Sequence, residues 1–150
     1  MEVFTQSARQ TQKLGEKLAA DLISGKSTPR VLCLYGDLGS GKTTFIQGLA
    51  RGLGIGKRVL SPTFVIVRQY VIGDTQDVKH KSHFYHIDLY RVENERDVGS
   101  LGLSEIWSDP ENVVAIEWAE KIEKILPKRR IDIHFAYVSK NRRRITISGS

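Results

Sequence analysis

The chain has 150 residues, a net charge of +6 and 1 cysteine. A chain of this length buries about 70% of its unfolded surface, so we expect a single domain over residues 1–150 that folds without disulfide bonds. It has no stretch of roughly 20 apolar residues and no N-terminal secretory signal, which predicts a cytoplasmic protein with no membrane partner.

The first predicted helix begins after Ser7, a favoured N-cap residue, and ends near Gly25. Its leucines recur every four residues, which is the spacing of one helix face. We expect this helix to precede the first strand and to pack on the sheet. That strand is the apolar run Val31–Tyr35, in which Cys33 is expected to be a small core residue rather than a reactive thiol.

A glycine-rich loop follows this strand and is followed in turn by a predicted helix over residues 44–53. Its sequence, Gly36-Asp37-Leu38-Gly39-Ser40-Gly41-Lys42-Thr43, matches the P-loop pattern in the correct strand–turn–helix context. Glycines let successive backbone N–H groups converge on phosphates, and the helix N-terminus adds a favourable dipole. Lys42 would reach the β- and γ-phosphates, and the Thr43 hydroxyl would bind Mg²⁺.

Two further strands, expected to be antiparallel, are predicted over residues 64–72 and 82–88. Between the P-loop helix and these strands, Ser61-Pro62-Thr63 occupies the region where many P-loop switches place a hydroxyl that senses the γ-phosphate. An ordinary turn explains the same residues equally well. His80, His83 and His86 are spaced three residues apart, and such positions face opposite sides of a strand, which argues against a shared metal ion.

The C-terminal half is predicted to contain short helices and three strands. Residues 94–107 are ambiguous, although short helices are expected near both ends of the segment. A continuous apolar strand over residues 113–117 leads into a short helix that Pro127 ends. Period-two alternation over residues 131–137, a polar turn and a last strand over residues 144–147 predict a C-terminal β-hairpin. The predicted class is therefore α/β: a single P-loop NTPase-like domain with a mixed, mainly parallel sheet and a C-terminal β-hairpin.

Two of the predicted strands end in a carboxylate, Asp88 in one and Glu117 in the other. Strand C-termini line the ligand crevice of an open α/β sheet, so both side chains would face the P-loop. Hydrolysis needs an acid that positions Mg²⁺ and a group that positions the attacking oxygen. An exposed acid at a strand end is the alternative for either residue. Trp118, which follows directly, would either stack on a ligand or fill core volume.

The positive charge is concentrated at the C-terminal end. From Lys124 onward the chain has 8 basic residues and 1 acidic residue, whereas the preceding part has 15 basic and 16 acidic residues. This basic segment would contact nucleic acid or an acidic partner surface, or it would form a solvated rim on the hairpin. The sequence leaves these alternatives open. Arg91 is a further candidate, as an arginine that approaches the phosphates within the same chain.

In combination, these motifs closely resemble the TsaE family, the bacterial ATPase component of tRNA threonylcarbamoyladenosine synthesis. The resemblance spans nearly the whole chain, and the strings that carry it are Thr11, Leu14-Gly15, Gly36 to Thr44, Ser61-Pro62-Thr63-Phe64, His86-Ile87-Asp88-Leu89-Tyr90-Arg91 and Ile116-Glu117-Trp118. Residues 74–82 and the basic C-terminal segment match no motif of that family.

The resemblance implies a small P-loop fold with a mixed sheet, ATP and Mg²⁺ as cofactors, and a TsaB–TsaD heterodimer as partner. The family ATPase would allow repeated rounds of threonylcarbamoyl transfer to adenosine 37 of tRNA without performing the transfer itself. Contact of the basic C-terminal segment with tRNA is an additional expectation.

The resemblance also implies roles for individual residues. Lys42, Asp88 and Glu117 would be catalytic, with Asp88 orienting the hydrolytic water. Thr43 and Glu117 would share the coordination of Mg²⁺. Which acid is the main catalytic group stays open. Thr63 would belong to the switch loop, Thr11 would lie near the adenine, and the full set expected to bind the nucleotide is Thr11, Gly36, Gly39, Ser40, Gly41, Lys42, Thr43, Thr44 and Thr63.

We therefore expect a partner-stimulated ATP hydrolase. The main alternative is a P-loop kinase acting on a small molecule, although a helical lid is hard to locate because the region after the P-loop predicts strands. A GTPase is disfavoured because the chain has no Asn-Lys-x-Asp string. A scaffold that binds a nucleotide without hydrolysing it is the remaining alternative.

Overall fold

The computed structural model describes residues 1–25, 28–56, 59, 66–73 and 82–149. Its strands are β1 (Glu2–Thr5), β2 (Val31–Tyr35), β3 (Val67–Val71), β4 (His83–Asp88), β5 (Val113–Glu117), β6 (Ile131–Tyr137) and β7 (Arg143–Gly149). Its α-helices are α1 (Ala8–Ser24), α2 (Lys42–Gly52) and α3 (Leu103–Ser108), and 3₁₀ helices cover Glu95–Leu101 and Ala119–Ile125. None of the helices in these ranges is long and apolar enough to cross a membrane.

The described strands form one seven-stranded mixed sheet in the order β1-β7-β6-β2-β5-β4-β3. The central pairs β6·β2, β2·β5 and β5·β4 are parallel. The outer pairs β1·β7, β7·β6 and β4·β3 are antiparallel. The mixed α/β sheet and the C-terminal hairpin are thus confirmed. A mainly parallel sheet was the wrong expectation, because parallel and antiparallel pairs are equally numerous here.

β1 accounts for part of this difference, since no pattern in the sequence predicts it. Its four residues pair with β7, from Glu2 opposite Thr146 to Thr5 opposite Arg143. So short a segment shows almost no periodicity of its own and depends on a partner about 140 residues away in the chain. The first helix therefore follows a strand and links the edge of the sheet to its central strand β2.

The predicted helices and strands otherwise lie close to their expected positions. Ser7 caps α1, with its Oγ accepting a hydrogen bond from the Gln10 N–H at 3.1 Å. α2 begins at Lys42, two residues before its predicted start. The helix predicted before Pro127 is 3₁₀ in character. Residues 64 and 65, the predicted start of β3, lie outside the described residues.

Apolar residues cover both faces of the central sheet. α1 and α2 pack on one face, where Leu32 and Leu34 of β2 meet Phe45 and Ile46 of α2. The other face, which includes Cys33, packs against the 3₁₀ helices and α3. Burial raises the pKa of the Cys33 thiol to about 12, with a smaller contribution from the Asp132 carboxylate. Cys33 is a core residue, as predicted.

α1 and α2 approach each other unusually closely, and glycines make this possible. A Cβ on Gly48 of α2 would overlap the backbone of Gln12, and a Cβ on Gly15 of α1 would overlap the carbonyl of Phe45. At Gly52 an added Cβ would lie 2.6 Å from the Ala19 Cβ. Only hydrogen fits at these crossings. The close contact fixes the position of α2, whose N-terminus carries the glycine-rich loop.

Candidate functional site

A cleft of about 650 Å³ opens at the carboxyl ends of β2, β4 and β5. Its walls come from the start of α1, the glycine-rich loop, the ends of β4 and β5, and the turn between β6 and β7. Parallel strands place their carboxyl ends at one edge of a sheet, so distant parts of the chain meet there. The cleft is the natural candidate for a ligand site.

The glycine-rich loop adopts backbone conformations that other residues rarely occupy. Gly36, Gly39 and Gly41 have φ values of 146°, 77° and 109°. A Cβ on Gly39 would meet open space, so this glycine is required by its φ alone. At Gly36 an added Cβ would also lie 2.6 Å from the Phe135 carbonyl oxygen. The loop curves over the N-terminus of α2, with Gly41 as the N-cap residue.

Lys42 is buried at the first position of α2, with 5% of its surface exposed. Its ammonium donates to the Gly36 carbonyl and lies 3.9 Å from the centroid of the Trp118 ring. Burial lowers the pKa of Lys42, although the Glu117 and Asp88 carboxylates act in the opposite direction. The charge therefore lacks full solvation, and a phosphate oxygen in the cleft would be a stronger partner than a carbonyl.

Glu117, the last residue of β5, is 3% exposed and has contacts on both carboxylate oxygens. Its Oε1 accepts from the Thr43 hydroxyl at 3.3 Å. Its Oε2 lies 2.6 Å from the Nε2 atom of His86, a fully buried residue of β4. A hydroxyl and a carboxylate side by side, here next to a glycine-rich loop, are oxygen ligands that could hold Mg²⁺.

Asp88 ends β4 directly opposite Glu117 in the parallel register. Its Oδ1 accepts from the Tyr90 N–H at 3.0 Å, which fixes the start of the following turn. Asp88 and Glu117 therefore line the cleft together, although they are 29 positions apart in the chain. The sheet register brings the two predicted acids to the same edge, where they face the loop.

Trp118 is the only residue other than glycine with positive φ, 60°, in the described part of the chain. This backbone conformation turns the chain after β5 and directs the indole into the cleft wall. The ring contacts the Lys42 ammonium and lies 5.3 Å, centroid to centroid, from the ring of Tyr90, which is 47% exposed. Trp118 is also partly buried against the core cluster on the second face of the sheet, so its position fits both explanations considered, ligand contact and core packing.

Arg143 is a cleft residue that the sequence alone places only in the basic rim. Its NH2 group donates to the Gly39 carbonyl at 3.1 Å, and its NH1 group donates to the Ser139 carbonyl at 2.7 Å. The guanidinium thus joins the hairpin turn to the glycine-rich loop. The signal for this contact was the parallel pairing of β6 with β2, which brings the turn after β6 to the loop. Pairing order is not visible in the local sequence.

The other basic residues of the C-terminal segment have different surroundings. Arg130 is paired with Asp132 at 2.8 Å. Arg142 stacks on the exposed ring of Phe4, with its Cζ 4.4 Å from the ring centroid, and Arg144 is exposed. Lys140 lines the cleft near Arg143. Only part of the predicted basic rim is therefore free to meet an external partner.

The structure places almost all the predicted site residues together. The residues of this set that line the cleft are Thr11, Gly39, Ser40, Gly41, Lys42, Thr43, Thr44, Asp88 and Glu117, and Arg91 lines it as well. Gly36 is not part of the lining and lies next to Phe135 under the loop. Thr63 lies outside the described residues. No group of three or more His, Cys, Asp or Glu residues in the described ranges forms a separate metal site.

The lining suits a nucleotide with its cation. The Ser40 hydroxyl is buried and has no hydrogen-bond partner among the described residues. Buried polar groups are normally paired, so this hydroxyl and the buried Lys42 ammonium could both bind an anionic ligand in the loop. Thr43 and Glu117 provide oxygen ligands for a divalent cation beside it. These residues could therefore hold a phosphate group with a divalent cation beside it.

A comparison with protein families gives one match over most of the chain. The sequence model of the family described as "Threonylcarbamoyl adenosine biosynthesis protein TsaE" matches residues 5–145. That range includes every residue of the cleft described above.

Individual relatives and a solved structure agree with this match. A Bacillus subtilis protein named tRNA threonylcarbamoyladenosine biosynthesis protein TsaE is 42% identical over 118 residues, covering 79% of this chain and 68% of the relative. A Nostoc protein of the same name is 35% identical over 150 residues, covering 98% of this chain and 85% of the relative. The crystal structure of Bacillus subtilis YdiB is 32% identical, with a TM-score of 0.72 over 99% of this chain and 84% of that chain.

Proposed function

This chain belongs to the TsaE family of threonylcarbamoyl adenosine biosynthesis proteins, and from this premise we propose that it is a Mg²⁺-dependent ATPase required for the threonylcarbamoyladenosine modification of tRNA. In this proposal the protein binds a TsaB–TsaD heterodimer and resets that complex between rounds of modification. It does not transfer the threonylcarbamoyl group itself. The curated relatives carry the name of the same biosynthetic process.

One observation carries the ATPase part of the proposal: the Thr43 hydroxyl lies 3.3 Å from the Glu117 carboxylate, beside Lys42 in a glycine-rich loop. A loop that only bound phosphate would not need a buried acid at this position. The pairing of a P-loop threonine with a strand-end carboxylate is the arrangement that holds Mg²⁺ in P-loop hydrolases. A bound Mg²⁺ ion would neutralise charge that develops on the phosphates.

The remaining residues would bind and orient the triphosphate. Backbone N–H groups of the loop and the Lys42 ammonium would hold its phosphates, while Thr11 would border the nucleoside. Asp88, beside Glu117 in the register, would orient the attacking water. Burial of Glu117 and Lys42 limits the water around the reacting bond and strengthens these electrostatic contacts.

Turnover would depend on the partner, because Arg143 is already engaged in supporting the loop. The Arg143 guanidinium already donates to several backbone carbonyls, including that of Gly39 in the loop. It therefore supports the loop and has little capacity left to act on the reacting phosphate. We expect slow hydrolysis by the isolated protein and stimulation by the TsaB–TsaD heterodimer, with the basic C-terminal segment contacting tRNA.

The test is ATP hydrolysis with and without the purified TsaB–TsaD heterodimer. We expect phosphate release that requires Mg²⁺ and rises when the heterodimer is added. Lys17→Ala is a suitable control, because Lys17 is exposed on α1 and is not part of the cleft lining.

Three results would contradict the proposal. The first is no binding of ATP to the folded protein, which would show that the cleft is not a nucleotide site. The second is fast hydrolysis that the heterodimer does not change, which would show that the heterodimer does not stimulate this protein. The third is transfer of the γ-phosphate to an added metabolite with little free phosphate, which would favour the P-loop kinase.

A further inference from the structure

His86 is a buried polar residue to which neither the sequence nor the proposed function assigns a task. Its side chain is completely buried in β4, on the face of the sheet that α1 and α2 cover. Its Nε2 atom lies 2.6 Å from Glu117 Oε2, whereas its Nδ1 atom has no partner among the described residues. A buried histidine with a single polar contact is held there by that contact.

The contact leads directly to the candidate cation site. Glu117 uses Oε2 for His86 and Oε1 for the Thr43 hydroxyl. The three side chains therefore form a line from the core of the sheet to the first turn of α2. Because the carboxylate oxygens are rigidly joined, a hydrogen bond to one oxygen also fixes the direction of the other.

We propose that His86 is a positioning residue that orients the Glu117 carboxylate for the divalent cation. Its Nε2–H donates to Oε2, and Oε1 is thereby kept facing Thr43. This inference rests on the proposed function, because it assumes that Thr43 and Glu117 hold the cation. It assigns no contact between His86 and the nucleotide or the cation.

A purely structural role for His86 predicts something different. His86 also packs near Phe84, with their ring centroids 6.5 Å apart and nearly parallel. If packing were its only role, an apolar residue of similar size would preserve the site, and any loss of stability would weaken ATP binding equally with and without Mg²⁺. If His86 orients Glu117, the loss concerns only the binding that depends on Mg²⁺.

The experiment is a calorimetric titration of the full chain with ATP, first in EDTA and then over a series of Mg²⁺ concentrations. We compare His86→Leu, which removes the donor, with His86→Gln, whose amide retains one. His83→Leu is the matched control, because His83 is on the same strand but outside the cleft lining. The melting temperature of each variant without ligand reports any loss of stability separately.

The Mg²⁺ midpoint is the Mg²⁺ concentration at which the Mg²⁺-dependent binding of ATP is half complete. We expect His86→Leu to raise this midpoint by about 10- to 100-fold, because removal of similar outer hydrogen bonds weakens other metal sites to that extent. His86→Gln should show a smaller rise, His83→Leu none, and all should retain the ATP affinity seen in EDTA. If His86→Leu does not fold, the shorter His86→Asn is compared with His86→Gln in its place.

An unchanged Mg²⁺ midpoint in His86→Leu would overturn the inference, as would equal losses of ATP affinity in EDTA and in Mg²⁺. Equal effects of Leu and Gln would overturn it too, because the donor would then be irrelevant. If the wild-type protein shows no Mg²⁺-linked binding of ATP, the proposed function itself fails. The two failures are therefore distinguishable.

Discussion

The candidate site has two halves that are built in different ways. The loop half, residues 36–44, is continuous in the chain and depends on glycine backbone conformations and on the start of α2. The acid half joins Asp88 of β4 to Glu117 of β5, and only the register of the sheet brings them together. In the proposed function the loop half would hold the phosphates, and the acid half would act on the nucleotide that the loop holds. Nucleotide binding and hydrolysis should therefore be separable by mutation.

The largest effect should come from the loop half. Lys42→Ala removes the only buried ammonium in the described cleft lining and should lower ATP affinity by about 100-fold or more, since a charge-assisted hydrogen bond to phosphate disappears. The fold should survive, because the loop is held mainly by its backbone. Calorimetry with ATP and a circular dichroism melt measure the two quantities. Near wild-type affinity in a folded variant would contradict the role of Lys42.

Substitutions in the acid half should reduce ATP hydrolysis rather than ATP binding. Glu117→Gln should leave ATP binding in EDTA intact while reducing Mg²⁺-dependent turnover by about 100-fold, because a cation ligand is removed. Asp88→Asn should reduce turnover but keep Mg²⁺-linked binding, since its expected task is to orient water. Phosphate release in the presence of the partner heterodimer measures turnover. If both variants hydrolyse ATP at the wild-type rate, the assignment of the two acids is wrong.

An intermediate effect should come from the scaffold beneath the loop half. Gly48→Ala places a methyl group against the backbone of Gln12, so α1 and α2 must separate. We expect a cost of about 1–3 kcal/mol, which lowers the melting temperature by roughly 2–10 °C in a domain of this size. Gly99→Ala is the control, because an added Cβ there meets nothing within 4 Å. Equal melting temperatures would show that the helices adjust freely.

The smallest effect is expected outside both halves. Replacing Arg142 and Arg144 with Gln should make the association of tRNA less sensitive to salt. The slope of the logarithm of the association constant against the logarithm of the salt concentration should fall by about 2, one unit for each phosphate group that is no longer neutralised. Arg143 is left intact because it supports the loop. The exposed Arg68, on β3 at the far edge of the sheet, is the matched control. An unchanged slope would show that these residues form a solvated rim and do not contact tRNA.

The same division explains how much the sequence could predict. The loop half is local, so the spacing of Gly36, Gly41 and Lys42 was enough to predict its position between β2 and α2. The acids were predicted because each ends an apolar strand, and strand ends in such sheets share one edge. The central strands and the C-terminal hairpin were predicted for a similar reason, since their hydrophobic patterns are strong over five or more residues.

What escaped prediction depends on pairing between distant segments. β1 has only four residues and forms a strand because it pairs with the edge of β7. Arg143 reaches the loop because β6 lies beside β2, and His86 meets Glu117 because β4 lies beside β5. No periodicity in a single segment contains this information. A histidine on a strand and an arginine at the start of one resemble ordinary surface residues until the strand order is known.

The burial of Cys33 has a practical consequence for labelling this protein with a fluorophore. The chain's 1 cysteine has a thiol pKa of about 12, so it stays protonated and unreactive towards maleimides at neutral pH. A second cysteine introduced at an exposed position, such as Asn141 at the cleft rim, would be labelled selectively without first removing the native thiol. A fluorophore there would report in real time whether the hairpin turn moves relative to the glycine-rich loop when ATP is added.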